Sequence, residues 1–563
     1  MANIYDKASL VLIPSGIKEG VIFSQKPTNG DGDFTFSRST AATRVNADGL
    51  IEKETQNLFN YSNNFGASYW LNNAGSCTRT GGQSGYDGTN DAWLLTQDGI
   101  TGFDNILSNS TPVSGVYTFS VYAKVSSGNT QFTLRASNTT SRSEFNLTTG
   151  TIAASSGVIY DNIEDVGGGW YRCSVTFNAS SDKFQIYPQW NSSSAESVYI
   201  QDAQLEEGLV ARDYIETTTT AVYGGITDNV PRLDYTDSSC PALLLEPQRT
   251  NILYHSEYFG GWSTYGGAVL TYNNTTSPEG ITNAMNMTSG GVYATFPTAA
   301  NTDYVFSVFA KTNTATSLTI SYTDQSAPFR GGKITYTFAT DAVAVTTQSE
   351  NNSVTAERED YGNGWIRVIM NFKTNVAKNY NYQEIEFTGG DGWIYGAQLE
   401  EGSYATSYIP TYGTSVTRNS DALTLLNMSN NITSGVSAAS LFINYEYTLN
   451  SANDAFCFGQ NDSFYPAGRG YIYNTGNGFA DSFGGGGFSI TQGADTKTIW
   501  RLNTLSNTNI FQNGAKGPTR TGDAWSKVDQ ITFRGAFGTI RLKEMILFNQ
   551  ALTDQEAIDL TTI

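Results

Sequence analysis

The chain repeats itself at long range, and the repeat limits what it can fold into. Residues 198–208 read VYIQDAQLEEG and residues 392–402 read GWIYGAQLEEG, which puts Gly208 and Gly402 194 positions apart. Each copy runs on into an aromatic, threonine-rich tail, RDYIETTTT in the first and TSYIPTYGT in the second. Upstream the matches continue in the same order. NLFNYSNNFG (57–66) answers to NILYHSEYFG (251–260), and GTNDAWLLTQDG (88–99) to GITNAMNMTSGG (280–291). TFSVYAK (118–124) answers to VFSVFAK (305–311), and GGGWYRCSVTF (167–177) to GNGWIRVIMNF (362–372). A collinear duplication of about 165 residues is the size of one domain. It excludes a short-period solenoid.

Within each copy the pattern is that of strands. YTFSVYAK, QFTLRAS, WYRCSVTF and KFQIYPQW alternate apolar and polar residues with period two, between turns rich in Gly, Asn and Ser. The spacing predicts a β-sandwich for each copy. From about Asp421 a second strand series begins, including SLFINYEYTL, TIWRLNTL and TIRLKEMILFNQ. It ends in ALTDQEAIDLTT, where Thr553 and Glu556 have capping-box spacing for one short helix. The N-terminal segment carries NADG between TRV and LIE, which reads as a hairpin turn. GFADSFGGGGFS (478–489) reads as a loop, without the lysine of a phosphate loop. With 56 Gly, 33 Tyr, 30 Phe and 15% charged residues in 563, the expectation is an all-β protein of three or four domains.

Charge and residue scarcity remove several functions. The formal net charge is −20, which argues against nucleic acid and against an anionic membrane surface as partners. Cys77, Cys173, Cys240 and Cys457 are scattered without CxxC spacing and are expected as free thiols. The short apolar run LVLI near the start does not make a signal-peptide core, so synthesis in a cytoplasm is expected. His255 is the single histidine, and its counterpart in the other copy is Tyr61. No Ser-His-Asp triad and no two-His metal site can be built around it.

Four segments carry a resemblance. FTFSRSTAATRVNADGLIE (34–52), PRLDY (231–235), CPALLLEPQRTN (240–251) and AQLEEGSYATSYIPT (397–411) together resemble bacteriophage virion proteins of the tail-fibre or carbohydrate-binding type. In that family GLIE is followed closely by PRLDY. Here the whole first repeat separates them, so it reads as an insertion into a hairpin loop, where insertion is tolerated. The expected modules are 1–56 with 225–250 as a discontinuous virion-attachment module, 57–224 and 251–420 as two jelly rolls, and 421–563. The repeats resemble carbohydrate-binding-module jelly rolls. TNIFQNGAKG and IRLKEMILFNQALTDQEAIDL resemble the concanavalin A-like or laminin-G-like sandwich. The resemblance implies a head or tail appendage of the virion that docks to other virion proteins, forms a homotrimer, and binds host-surface or mucosal polysaccharide without catalysis. A polysaccharide depolymerase and a purely structural spacer are the alternatives.

Candidate site residues follow. Trp70, Trp190, Trp262 and Trp393 are the proposed glycan contacts, because an indole face stacks on the C–H face of a sugar ring. Trp170 and Trp365 hold the same repeat position and are expected in the core. Glu206-Glu207 and Glu400-Glu401 are the carboxylate candidates. Neighbours on a strand point to opposite faces, so neither pair alone can flank one glycosidic bond; one Glu of each is expected to accept backbone hydrogen bonds at a turn. Asp31 and Asp33, or Asp360 and Asp391, could offer oxygens to Ca²⁺, but no EF-hand-like spacing supports them. No catalytic residue, metal ligand or cofactor is expected.

Overall fold

The computed structural model describes residues 4–563 apart from 74–76, 101–102, 111–112, 127–129, 137–139, 182, 324–330, 349–352, 375–376, 437, 450–455, 460–468, 474–475, 481–486, 489, 492, 504–507 and 521–528. Most of the 478–489 stretch expected as a loop therefore lies outside the described residues. The chain is all-β, a set of packed antiparallel sandwiches with, among the described residues, one short α-helix, Asp554–Thr561, capped by Thr553 and Glu556.

Each repeat is two six-stranded sheets face to face. In the first, one sheet is built around Val113–Val125, Trp170–Ser181 and Ser197–Glu207. The other runs Thr151–Ser156, Arg142–Asn146, Gln131–Ala136, Phe184–Tyr187, Asn105–Ser108, Trp70–Asn73. The second repeat reproduces that order with Ala342–Gln348, Gly331–Thr337, Ser317–Thr323, Lys378–Thr388, Gly290–Thr298 and Ser263–Tyr265. Strand alternation decides which side chains fill the core. In QFTLRA, Phe132, Leu134 and Ala136 are fully buried in the core between the sheets, so Gln131, Thr133 and Arg135 face the other way.

The segments around the repeats build a third sandwich together. Leu10–Leu12 pairs with Gly538–Phe548, and Ala242–Leu245 lies along the same strand. Phe34–Ser37 pairs with Ala422–Leu425 in the opposite sheet. The N-terminal segments are thus discontinuous in sequence, as the split motif implies, and in space they complete both sheets of the C-terminal sandwich. Both repeats are loops hung from it. The first enters and leaves through Thr55–Asn57 paired with Val222–Gly224, the second through Arg249–Asn251 paired with Val416–Arg418.

Buried charge fastens the seams. Arg38, Arg232, Glu246, Arg418 and Asp421 are each at most 2% exposed. Arg38 reaches Asp421 at 3.1 Å, Arg232 reaches Glu246 at 2.6 Å as well as Asp421, and Arg418 reaches Glu246 at 2.7 Å. These residues come from FSRST, PRLDY, LLLEP and the VTRNSD segment, which explains the motifs. Each supplies one member, and VTRNSD two, of a network that a buried charge needs in order to be tolerated. A second network joins the two repeats. Lys53 of the hairpin lies 2.7 Å from Glu257 and 2.6 Å from Glu279, and Glu279 also binds Arg212 of the first repeat at 2.7 Å. Burial alone would raise the Glu279 carboxyl; Arg212 and Lys53 overcome it and hold the group down to about 2.

Candidate functional site

The most repeated residues turn out to be scaffold. Asn57 and Asn251, both fully buried, each donate from Nδ2 to two carbonyls (Ala203 and Ile215; Ala397 and Ile409) and accept from the amides of Leu205 and Leu399. Gln204 accepts the amide of Ile215, and Gln398 that of Ile409. Glu206 accepts the amide of Arg212 at 3.0 Å, and Glu400 that of Thr406 at 2.9 Å. The Q-x-E of AQLEEG is therefore a clamp on the tail that follows it, and Asn57 or Asn251 holds the same tail from the other side. Glu207 and Glu401 are exposed at strand ends and accept the hydroxyls of Tyr117 and Tyr304.

The four candidate tryptophans separate. Trp70 (1% exposed) and Trp262 (7% exposed) belong to the two cores and offer no face to a ligand. Their indole N–H groups donate to the carbonyls of Tyr61 and His255, repeat counterparts of each other, and Trp70 packs against Phe59 and Phe65. Sequence matching missed this equivalence because the spacing differs by two residues. Trp393 is half-buried beside Lys311 and donates to Asn274 at 2.8 Å. Trp190 is half-buried on the outward face of the Gln131–Ala136 sheet. Trp170 and Trp365 are buried, as their shared position predicts.

Around Trp190 that face is densely polar. The guanidinium carbons of Arg142 and Arg135 lie 4.7 and 5.5 Å from its ring centroid, and Phe103 and Tyr187 meet it edge-on with centroids 5.0 Å away. Arg135 donates to Gln185 at 3.1 Å, Gln185 to Asn105 at 3.3 Å, and Arg142 to Glu144 at 3.0 Å. The matching sheet of the second repeat carries a tyrosine stripe instead. Tyr265, Tyr293 and Tyr382 follow one another with centroids 6.2 and 5.4 Å apart, beside Glu384 and Glu386. Gly291 makes the stripe possible, since a Cβ there would sit 2.5 Å from the Tyr265 ring. Sequence reasoning missed these arginines and tyrosines. Their signal was present in the polar phase of QFTLRA and RSEFN, which shows which face they occupy but not which side chains converge.

The remaining candidates have ordinary employment. Asp33 accepts from the amide of Ser24, Asp360 from that of Gly362, and Asp31 from Asn29. Asp391 accepts from Asn313, Thr314 and Asn286, and the first two of these bonds do most to lower its carboxyl to about 2. Among the described residues no group of three His, Cys, Asp or Glu could hold a metal ion. His255 is half-buried, edge-on to Tyr258, and burial lowers its pKa. A cavity of about 380 Å³ opens where the hairpin, the second repeat and the third sandwich meet. Four of its carboxylates face cations: Asp234 and Asp237 share Arg541 at 2.6 and 3.2 Å, Glu446 meets Lys543 at 2.5 Å, and Glu359 lies 3.7 Å from Arg367.

No protein-family description and no curated protein matches the chain. Solved structures of similar shape include the carbohydrate-binding module CBM40 of Ruminococcus gnavus IT-sialidase, at 16% identity and TM-score 0.19, over 23% of this chain and 84% of that one. The tandem CBM22-1-CBM22-2 domains of Paenibacillus barcinonensis Xyn10C match at 11% identity and TM-score 0.21, over 61% of this chain and 97% of that one. The NanB sialidase of Streptococcus pneumoniae matches at 15% identity and TM-score 0.20, over 25% of this chain and 26% of that one. At these scores the architecture is read from the sheets themselves: a multidomain all-β chain of two duplicated sandwiches inserted into a third.

Proposed function

We propose that this chain binds polysaccharide without altering it, as an appendage of a bacteriophage particle. The observation that carries the binding half is the pair of matching outward sheet faces, each with aromatic rings set among hydrogen-bonding side chains. Rings supply stacking surface at low entropy cost, and the fixed donors and acceptors around them orient hydroxyl groups. Two faces on one chain raise avidity where single sugar contacts are weak, and a homotrimer would multiply it again. The carboxylates that recur in both repeats serve the fold, which supports binding over turnover. The phage half rests on the FTFSRST, PRLDY, LLLEP and AQLEEG resemblance. Docking to other virion proteins then falls to the sandwich that the N- and C-terminal segments build together. No helix among the described residues is long and apolar enough to cross a membrane.

The test tracks binding and chain length together, with the intact protein on purified capsular polysaccharide of a bacterium its phage infects. Saturable binding with unchanged polymer length is the expected result. Shortened polymer would replace this reading with a depolymerase, and the cavity carboxylates would be substituted first. Absence of both, with tight association to the particle, would leave a structural spacer.

A further inference from the structure

One end of the duplicated sandwich is covered in the second repeat and uncovered in the first. On the second repeat this end is a socket for the N-terminal hairpin. Ile51 is 5% exposed among Ala284, Phe309, Trp365, Tyr395 and Tyr408, and its amide donates to the carbonyl of Pro278 at 2.9 Å. Two residues on, the Lys53 ammonium lies between Glu257 and Glu279, and Arg212 meets the other oxygen of Glu279 at 2.7 Å. Two buried carboxylates thus meet two cations that the second repeat does not itself supply. The repeat offsets place Ala92, Tyr122, Trp170 and Tyr214 of the first repeat at the positions of Ala284, Phe309, Trp365 and Tyr408. They again gather in an apolar pit, here filled by the repeat's own Tyr86, whose ring stacks on Tyr122 at 3.9 Å. The acidic rim is kept. Asp87 stands where Glu279 stands, Asp91 and Asp202 are added beside it, and the buried Gln201 donates to Asp87 and Asp91 at 3.2 and 2.8 Å. Asp202 is 4% exposed and accepts the Tyr86 hydroxyl at 2.9 Å. Burial raises its carboxyl to about 7, and repulsion from Asp91 and Asp87 adds to the rise. Among the described residues no lysine or arginine forms an ion pair with any of the three.

We propose that this end of the first repeat is a docking socket for a lysine or arginine side chain of a partner protein, presented from an extended segment as Lys53 is presented to the second repeat. The observation that carries it is the duplicate itself: the matching position, Glu279, already holds two such cations. Asp87 and Asp91 are exposed and within reach of an incoming side chain, whereas Asp202 lies beneath them. A cation between them relieves the repulsion of three carboxylates gathered at one rim. Tyr86 already fills the apolar pit, so the incoming segment contributes its charge and little buried apolar area. The contact is therefore weaker than that of the hairpin and sensitive to salt. It involves neither sheet face and stands apart from the glycan-binding reading.

A cyclic peptide copying the hairpin, residues 44–55 (RVNADGLIEKET), is the probe, titrated into the full chain. There the protein's own hairpin fills the second socket, so the peptide has the first one to take. Calorimetry should show one peptide bound per chain, more weakly as salt is added. The same peptide carrying Lys53→Met should not bind. D87N/D91N should lower the affinity by about tenfold without lowering the melting temperature, because both side chains are exposed and asparagine keeps an acceptor. Asp87→Lys supplies the cation from within and should abolish binding; it serves as the second variant should the first fail to fold. No saturable binding overturns the proposal, and so does binding that D87N/D91N leaves undiminished. Retention of glucosamine oligomers through Asp87 and Asp91, without the peptide, overturns the protein partner and assigns the socket to an amino sugar.

Discussion

Tryptophan makes the point about single residues, because one side-chain type does opposite jobs a few strands apart. Trp70 fills the first core among Phe59 and Phe65, whereas Trp190 lies half-exposed under two arginines. Trp70→Ala should therefore cost about 3–5 kcal/mol of stability, the range for emptying a core of a large aromatic. Trp190→Ala should leave urea unfolding almost unchanged while weakening saccharide binding, read by titration of the same samples. The sequence could not separate the two. Burial depends on which loop covers a strand, and period-two alternation carries no record of that. It could separate Glu206 from Glu207, because the pleat sends neighbours to opposite faces. The expected division, one acceptor of backbone amides and one at the surface, is the one found at both copies. Glu400→Ala leaves Gln398 and the amide of Thr406 without their acceptor. It should cost about 1–3 kcal/mol for the orphaned groups, against less than about 0.5 kcal/mol for Glu401→Gln. Chemical denaturation of the two variants checks this.

At the level of elements, the strands and the duplication were legible because both are written locally, in alternation and in repeated strings. The sharing of sheets was not. Leu10–Leu12 finds its partner at Met545–Leu547 more than 500 residues away, and no periodicity announces such a pairing. The capping box at Thr553 was readable for the opposite reason, since its two residues lie three apart. The left-handed kink inside the AQLEEG strand is intermediate. Gly396 adopts it with φ 60°, and Asp202 takes the same position in the first repeat with φ 52°. In the second repeat a Cβ would meet the Phe309 ring at 2.9 Å, so Gly396→Asp should be poorly tolerated although the first repeat carries that residue. A drop of several degrees in melting temperature would bear this out.

For the molecule as a whole, the two ion networks predict how stability responds to substitution and to pH. Lys53→Met takes from the buried Glu257 its cation at 2.7 Å, leaves Glu279 with Arg212 alone, and should cost about 3–5 kcal/mol. It should also loosen the first repeat against the second, seen as separate unfolding transitions in calorimetry. The pH response has two limbs. Glu279 at about 2, and Glu246 held well below its usual range by Arg418 and Arg232 despite burial, have folded pKa values below their unfolded ones. They stabilise above about pH 4.5, and that contribution is lost as pH falls toward 2. Asp202 and Glu54 are pushed the other way, to about 7, chiefly by burial. Their contribution is present at low pH and lost as pH rises through 7. His255, lowered by burial, opposes that second limb, against Asp202, Glu54 and the further carboxyls that burial raises, Glu206, Glu207 and Glu446. Melting temperature should therefore peak near pH 5 and fall on either side; a flat profile from pH 3 to 8 would contradict the assignment.

The paired strands at the root of each repeat have a consequence in time. Thr55–Asn57 with Val222–Gly224, and Arg249–Asn251 with Val416–Arg418, close each repeat on itself with no help from the third sandwich. As the chain leaves the ribosome, each repeat holds everything its own core needs within about 170 consecutive residues. Leu10–Leu12, made before either repeat, has to wait for its partner Met545–Leu547, made after both. The sandwich between them can close only around finished repeats, so an interrupted chain leaves two closed repeat folds on an open, sticky base.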